Sequence, residues 1–220
     1  MKVRAIITGT TGMVGEGVLH ECLLSDEVEQ VLVINRKPCG VTHPKLKEII
    51  HSDFYNFSPI ESQLQNYNAC FFCLGVTSLG KKEPEYTKLT YDLTTHVADT
   101  LVKYNSDMVF CYVSGGGTDS TEKGKSMWAR VKGRTENHLL NLPFKAAYMF
   151  RPGYIHPTKG LKNTQKLYAY IDWMYPLLKK LIPASVCTLQ ELGLAMIHTV
   201  TKSYNKPILD SKDIVTLAAI

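Results

Sequence analysis

Two side chains stand where their chemistry could be used. Ser114 ends an apolar run at 108–113, and Lys132 lies about one turn into the helical stretch that follows, near 127–140. A serine hydroxyl beside a lysine ammonium can polarise a carbonyl and relay a proton. A second group sits at the N-terminus, where Thr8-Gly9-Thr10-Thr11-Gly12-Met13-Val14-Gly15 places three glycines at intervals of three. Glycines at that spacing suit backbone that must come close to a phosphate.

The elements around the glycines support this use. The apolar run before Gly9 reads as a strand, and Val14, Val18 and Leu19 begin an amphipathic helix. The result is strand, tight turn, helix, with free N–H groups at the helix start. Gly9 lets the chain turn sharply, Gly12 removes a side chain that would block a pyrophosphate, and Gly15 lets the helix pack on the strand. The spacing is G-x-x-G-x-x-G rather than the stricter G-x-G-x-x-G. The plain alternative is a glycine-bearing turn that binds nothing, but the strand-first context favours a nucleotide.

The second apolar run, 30–35, ends at Asn35-Arg36-Lys37-Pro38. Dinucleotide folds commonly carry an acid here for the ribose hydroxyls of NAD. A neutral Asn35 followed by Arg36 favours a 2′-phosphate, hence NADP(H) over NAD. A third, weaker strand at 46–51 leads to Asp53, which could accept a hydrogen bond from an adenine amino group or cap its own turn. The run 69–74 is a fourth strand, with Gly75-Val76-Thr77-Ser78 as a small-residue loop bordering the crevice of a doubly wound sheet.

A long helix is expected over 83–104, a fifth strand at 108–113 and a sixth at 147–150, punctuated by Arg151-Pro152-Gly153. Beyond Gly153 the alternation breaks down. Residues 154–183 are aromatic and proline-bearing, as a substrate-covering part spanning 154–190 would be. Thr188-Leu189-Gln190-Glu191 is a capping box opening a helix, and 208–209 and 214–217 could be terminal strands. The strand–helix alternation reads as α/β, a doubly wound parallel sheet (Rossmann fold) with a small C-terminal substrate lobe, in a single domain over 1–220.

Composition sets bounds. The 220 residues are 45% hydrophobic and 20% charged, with a net charge of +5 and a pI near 8.8. The cations are scattered, so no nucleic-acid arm is expected and an anionic small ligand explains the balance. No secretory signal is visible, and Asp172, Pro176, Lys179 and Lys180 interrupt the apolar stretch 167–182, so no membrane span is expected. Six cysteines in mostly apolar runs read as reduced, buried thiols of a cytoplasmic protein. Cys70 and Cys73 form a C-x-x-C, but on a strand they point to opposite faces, which disfavours a redox pair or zinc site. Gly124-Lys125-Ser126 suggests a P-loop, but the position where its first glycine must stand is Asp119.

Taken together, the glycine turn, Cys73-Leu74-Gly75, Tyr112-Val113-Ser114, Val131-Lys132-Gly133 and Arg151-Pro152-Gly153 resemble the short-chain dehydrogenase/reductase superfamily. The resemblance is to its atypical and extended branch, NAD-dependent epimerase/dehydratase-like. Within it, the chain is similar to the small oxidoreductases related to the human reductase that interacts with the HIV Tat protein. The resemblance implies an oxidoreductase acting on a small carbonyl or sugar-like substrate, as a monomer or homodimer. It implies that Gly9, Thr10, Thr11, Gly12, Met13, Val14 and Gly15 contact the pyrophosphate. Arg36 would meet the adenosine phosphate, Asp53 the adenine, Leu74 and Gly75 the adenosine ribose, and Lys132 the nicotinamide ribose. Ser114 and Lys132 would be catalytic. A nucleotide-sugar epimerase fits less well, because the stretch after Gly153 is short for a sugar-nucleotide pocket.

One departure stands out. The family pairs a tyrosine with the lysine four residues on, and here that position is Trp128. An indole N–H only donates and cannot serve as a phenolic acid. Tyr154, Tyr112 or His156 could supply the proton instead. Alternatively, the protein binds NAD(P) as a regulatory or interaction protein without catalysis.

Overall fold

The computed structural model describes residues 1–163 and 175–220. Seven strands form one parallel sheet in the order β3-β2-β1-β4-β5-β6-β9: β1 (Val3–Thr8), β2 (Val28–Asn35), β3 (Leu46–Ile50), β4 (Ala69–Phe72), β5 (Val109–Val113), β6 (Ala146–Arg151) and β9 (Ile208–Asp210). The order reverses at β1, so β2 and β4 flank it and a crevice opens at their carboxyl ends. β7 (Tyr154–His156) and β8 (Val186–Thr188) pair in parallel as a separate two-stranded sheet. The expected doubly wound parallel sheet is the observed fold.

Both faces of the sheet are covered, which is why β1, β2, β4 and β5 read as near-continuous apolar runs. On one face, α1 (Met13–Leu24), α6 (Leu189–Thr201) and α7 (Ser211–Ala218) cover Ala5, Ile7, Val31, Val33, Phe71 and Cys111. On the other, α3 (Leu93–Tyr104), α4 (Met127–Leu140) and the loops 54–67 cover Ile6, Leu32, Ile34, Cys70, Phe72 and Phe110. Cys70 belongs to the second core and Cys73 packs against the first, so the C-x-x-C is split by the sheet as expected. Burial pushes the Cys22, Cys70 and Cys73 thiols well up and Cys111 to about 12, leaving them protonated and unreactive.

Three elements differ from expectation. The long helix is interrupted: α2 (Glu83–Thr87) passes through a π-turn at Lys88–Asp92 before α3. Residues 214–217 are helical, within α7. Its cap, Asp210, accepts from Lys212 N at 2.9 Å and Asp213 N at 3.1 Å, and Asp213 returns the bond to Asp210 N. That capping box, with Ile214 and Leu217 buried one turn apart, selects a helix over a strand. Residues 175–181 form a short helix, α5 (Tyr175–Leu181). Residues 167–174 of the 167–182 stretch, and 164–174 of the 154–190 span, lie outside the described residues.

The contact that fixes α1 is the packing of Gly15 on Gly9. A Cβ at Gly15 would lie 2.2 Å from the Gly9 carbonyl oxygen, whereas at Gly75 it would meet nothing within 4 Å. Gly15→Ala is therefore expected to cost about 2–3 kcal/mol, a fall of roughly 5–10 °C in Tm for a chain of this size. Gly75→Ala is expected to leave Tm unchanged, and differential scanning calorimetry compares the two.

Candidate functional site

The site is built at the carboxyl end of β1. Gly9 takes φ +75°, and a Cβ there would lie 2.7 Å from the Cys73 carbonyl oxygen, so the turn is pressed against the end of β4. Gly12 N donates to Gly9 O at 3.0 Å, closing the turn. Gly12 is the N-cap of α1 and offers no side chain, so it leaves the first-turn N–H groups uncapped. Thr11 and Gly12 are exposed, and a Cβ at Gly12 would meet only Gly9 O, at an ordinary 3.5 Å. The structure thus leaves open a cradle of backbone donors at the positive end of a helix. Thr8 Oγ1, buried at the end of β1, has no hydrogen-bond partner among the described residues.

The turn is braced from β2. Asn35 Nδ2 donates to Thr10 Oγ1 at 2.6 Å, both side chains buried. Asn35 is therefore committed to the turn, and its side chain brings no negative charge to the crevice. Arg36 and Lys37 follow, exposed, with no ion pair among the described residues. Asp53 Oδ1 accepts from Tyr55 N at 2.9 Å, so this carboxylate caps its own turn. Leu74 is partly buried and Gly75 exposed, just past β4 and beside Gly9.

The second part of the site lies at the end of β5. Lys132, on α4, donates from Nζ to the backbone carbonyl of Ser114. The expected pairing of the lysine with the serine hydroxyl is not what the structure shows. Ser114 Oγ points inward, donating its one proton to Glu136 Oε1 at 2.5 Å and lying 3.1 Å from Phe150 O. Glu136 is fully buried, and Arg151 grips its carboxylate from Nε at 3.0 and 3.2 Å and again from Nη2. Arg151 Nη2 also donates to Ser120 Oγ at 2.5 Å. Lys132 stands one helical turn before Glu136 on α4, half-buried. Burial pushes its ammonium down to about 8, and the Glu136 carboxylate pulls it partly back up.

The alternative proton donors separate clearly. Tyr112 is buried in the second core, and burial drives its hydroxyl far above the ordinary range. It cannot serve as an acid at the crevice. Tyr154 and His156 lie on β7, directly after Arg151-Pro152-Gly153, and His156 stacks on Tyr175 at 3.8 Å. Trp128 lies over the loop after β5, where a Cβ at Gly117 would sit 3.4 Å from its Cη2. The lysine-bearing loop before α4 is no phosphate cradle: Gly124 N donates to Asp119 Oδ2 at 2.6 Å.

Sequence reasoning missed Glu136, Arg151 and Glu16. Glu136 had a signal, standing four residues after Lys132 on one helix face. Arg151 had only its place in Arg151-Pro152-Gly153. Glu16, on the first turn of α1, accepts from Lys162 N at 2.9 Å and Asn163 N at 2.7 Å.

No protein-family profile matches the chain. The chain is similar to the protein FMP52-1, mitochondrial, of Scheffersomyces stipitis, 26% identical over 165 residues, covering 72% of each chain. It is similar also to the protein fmp52-2, mitochondrial, of Aspergillus terreus, 27% identical over 154 residues, covering 69% of this chain and 66% of that one. Among solved structures, it resembles a double mutant of the dTDP-glucose 4,6-dehydratase DesIV of Streptomyces venezuelae, with NAD bound. The TM-score is 0.67 at 11% identity, over 98% of this chain and 80% of that one. The Bordetella bronchiseptica enzyme WbmF in complex with NAD+ aligns at TM-score 0.64 and 13% identity, over 98% and 77% of the two chains. What is shared at these identities is the fold.

These relatives correct one expectation. Reduced, buried thiols suggest a cytoplasmic location, yet the similar proteins bear mitochondrial names. Thiol burial reports redox state and protection, not a cellular address.

The Lys132 environment is directly measurable. Amine acylation mapped by mass spectrometry is expected to rise with pH through a midpoint near 8 at Lys132. Glu136→Gln is expected to move the Lys132 midpoint further down, because the carboxylate that favours its charged form is gone.

Proposed function

We propose that the chain binds NADP(H) and acts as an oxidoreductase on a small carbonyl or sugar-like substrate. The observation that carries this reading is the open backbone cradle at Gly9–Gly15, set at the reversal point of a doubly wound sheet. Gly9, Thr10, Thr11, Gly12, Met13, Val14 and Gly15 would hold the pyrophosphate, Arg36 the adenosine phosphate and Asp53 the adenine. Leu74 and Gly75 would line the adenosine ribose, and Lys132 the nicotinamide ribose. When bound, a nicotinamide supplies or accepts a hydride.

The preference for NADP(H) rests on a neutral Asn35 committed to Thr10 and on exposed Arg36 and Lys37 beside it. Lys132, with its proton affinity lowered by burial, can hold a ribose hydroxyl and exchange a proton near neutral pH. Ser114 is a positioning residue here: its carbonyl orients Lys132 while its hydroxyl ties the loop to Glu136. We propose one domain over 1–220, with 154–190 covering the substrate, and a mitochondrial location like that in the names of the relatives. A second reading, a nucleotide-binding regulator without turnover, is favoured by Trp128 in the tyrosine position.

Turnover separates the two. With small aldehydes and ketones, NADPH oxidation is expected and Lys132→Ala is expected to reduce it at least about 100-fold. Arg36→Ala is expected to raise KM for NADPH about tenfold while leaving that for NADH unchanged. Nucleotide binding without turnover would favour the regulator, and unchanged activity in Lys132→Ala would remove the lysine from the mechanism.

A further inference from the structure

Glu16 is the acidic residue in the first turn of α1. A carboxylate there gains from the helix dipole, but it stands one turn behind the N–H groups assigned above to a pyrophosphate. Two anions that close repel one another unless one is neutralised. The structure shows what holds this carboxylate: Oε1 accepts from Lys162 N at 2.9 Å and Oε2 from Asn163 N at 2.7 Å. Each oxygen takes one of two consecutive backbone donors, about 146 residues away in sequence.

Those amides belong to a strap, 157–163, that leaves β7 after His156. Gly160 turns it at φ +89°, and Leu161 packs against the first core. The strap is thus anchored twice, by an apolar side chain and by a carboxylate that takes both amides. The turn at Gly160, just before both anchors, is one that a β-carbon would strain.

We infer that Glu16 is a latch joining the strap to the nucleotide-binding helix, so that strap docking and nucleotide binding strengthen each other. With the strap docked, both Glu16 oxygens are occupied by N–H donors and part of the negative charge is offset. With the strap released, the carboxylate on the first turn of α1 loses both donors and its charge is no longer offset. Linkage makes the effect reciprocal: whatever the strap does for nucleotide affinity, the nucleotide does for strap docking. Glu16 is a positioning residue that acts through the strap. The inference rests on the cofactor reading above.

Limited trypsin digestion of the full chain at Lys159 and Lys162 reads the strap, and titration with NADPH reads the cradle. In the wild type, NADPH is expected to slow cleavage at these lysines about fivefold or more. Glu16→Ala is expected to speed cleavage and abolish the protection by NADPH. Loosening the strap by Leu161→Ala, with Gly160→Val as a second route, is expected to weaken NADPH binding about fivefold when Glu16 is present. The same changes are expected to have no effect in the Glu16→Ala background. Unchanged cleavage in Glu16→Ala would overturn the latch. Equal weakening in both backgrounds would overturn the coupling while leaving the cofactor reading intact. A wild type that binds neither NADPH nor NADH would overturn the cofactor reading and the coupling with it.

Discussion

The structure depends on one close approach, the turn after β1 pressed against the end of β4. Neither Gly9 nor Gly15 has room for a β-carbon, since the Cys73 carbonyl lies against the first and the Gly9 carbonyl against the second. These contacts set α1 on the sheet and aim its N-terminus into the crevice. The Asn35–Thr10 hydrogen bond braces the turn from β2. Three adjacent strands therefore fix the position of one short stretch of backbone, and everything proposed for a nucleotide relies on that rigidity.

The opposite end of the crevice is organised by a buried charge. Glu136 would be costly alone in the core, and Arg151 and Ser114 satisfy it. The cluster ties α4 to β5 and β6, and so holds Lys132 where its ammonium meets the Ser114 carbonyl. Lys132 itself is left to desolvation, with its carboxylate neighbour already engaged. A partly desolvated lysine with a lowered proton affinity is suited to binding and proton exchange. The indole of Trp128, spread over the Gly117 loop, brings no acid to the same place.

How much of this was legible follows from which interactions are local. The strand–turn–helix at 3–24 could be read because glycine spacing and apolar periodicity are properties of adjacent residues. The doubly wound class followed from the alternation of elements. Residues 214–217 were misread as a strand because four residues cannot separate periods of two and 3.6, although the Asp210–Asp213 capping box was there to be read. The hydroxyl of Ser114 turns inward because of Glu136 and Phe150, 22 and 36 residues away. The Glu16 partners lie about 146 residues away. Spacing along the chain carries no signal for such pairs.

The central claim is that the cradle at Gly9–Gly15, with Arg36 beside it, holds a 2′-phosphorylated dinucleotide. Isothermal titration calorimetry of the full chain with NADPH and, separately, NADH tests it most directly. The account predicts one nucleotide bound per chain, with NADPH tighter by about tenfold, as one charge-assisted phosphate contact would provide. Tighter NADH would contradict the role given to Arg36, and no binding of either would contradict the account as a whole.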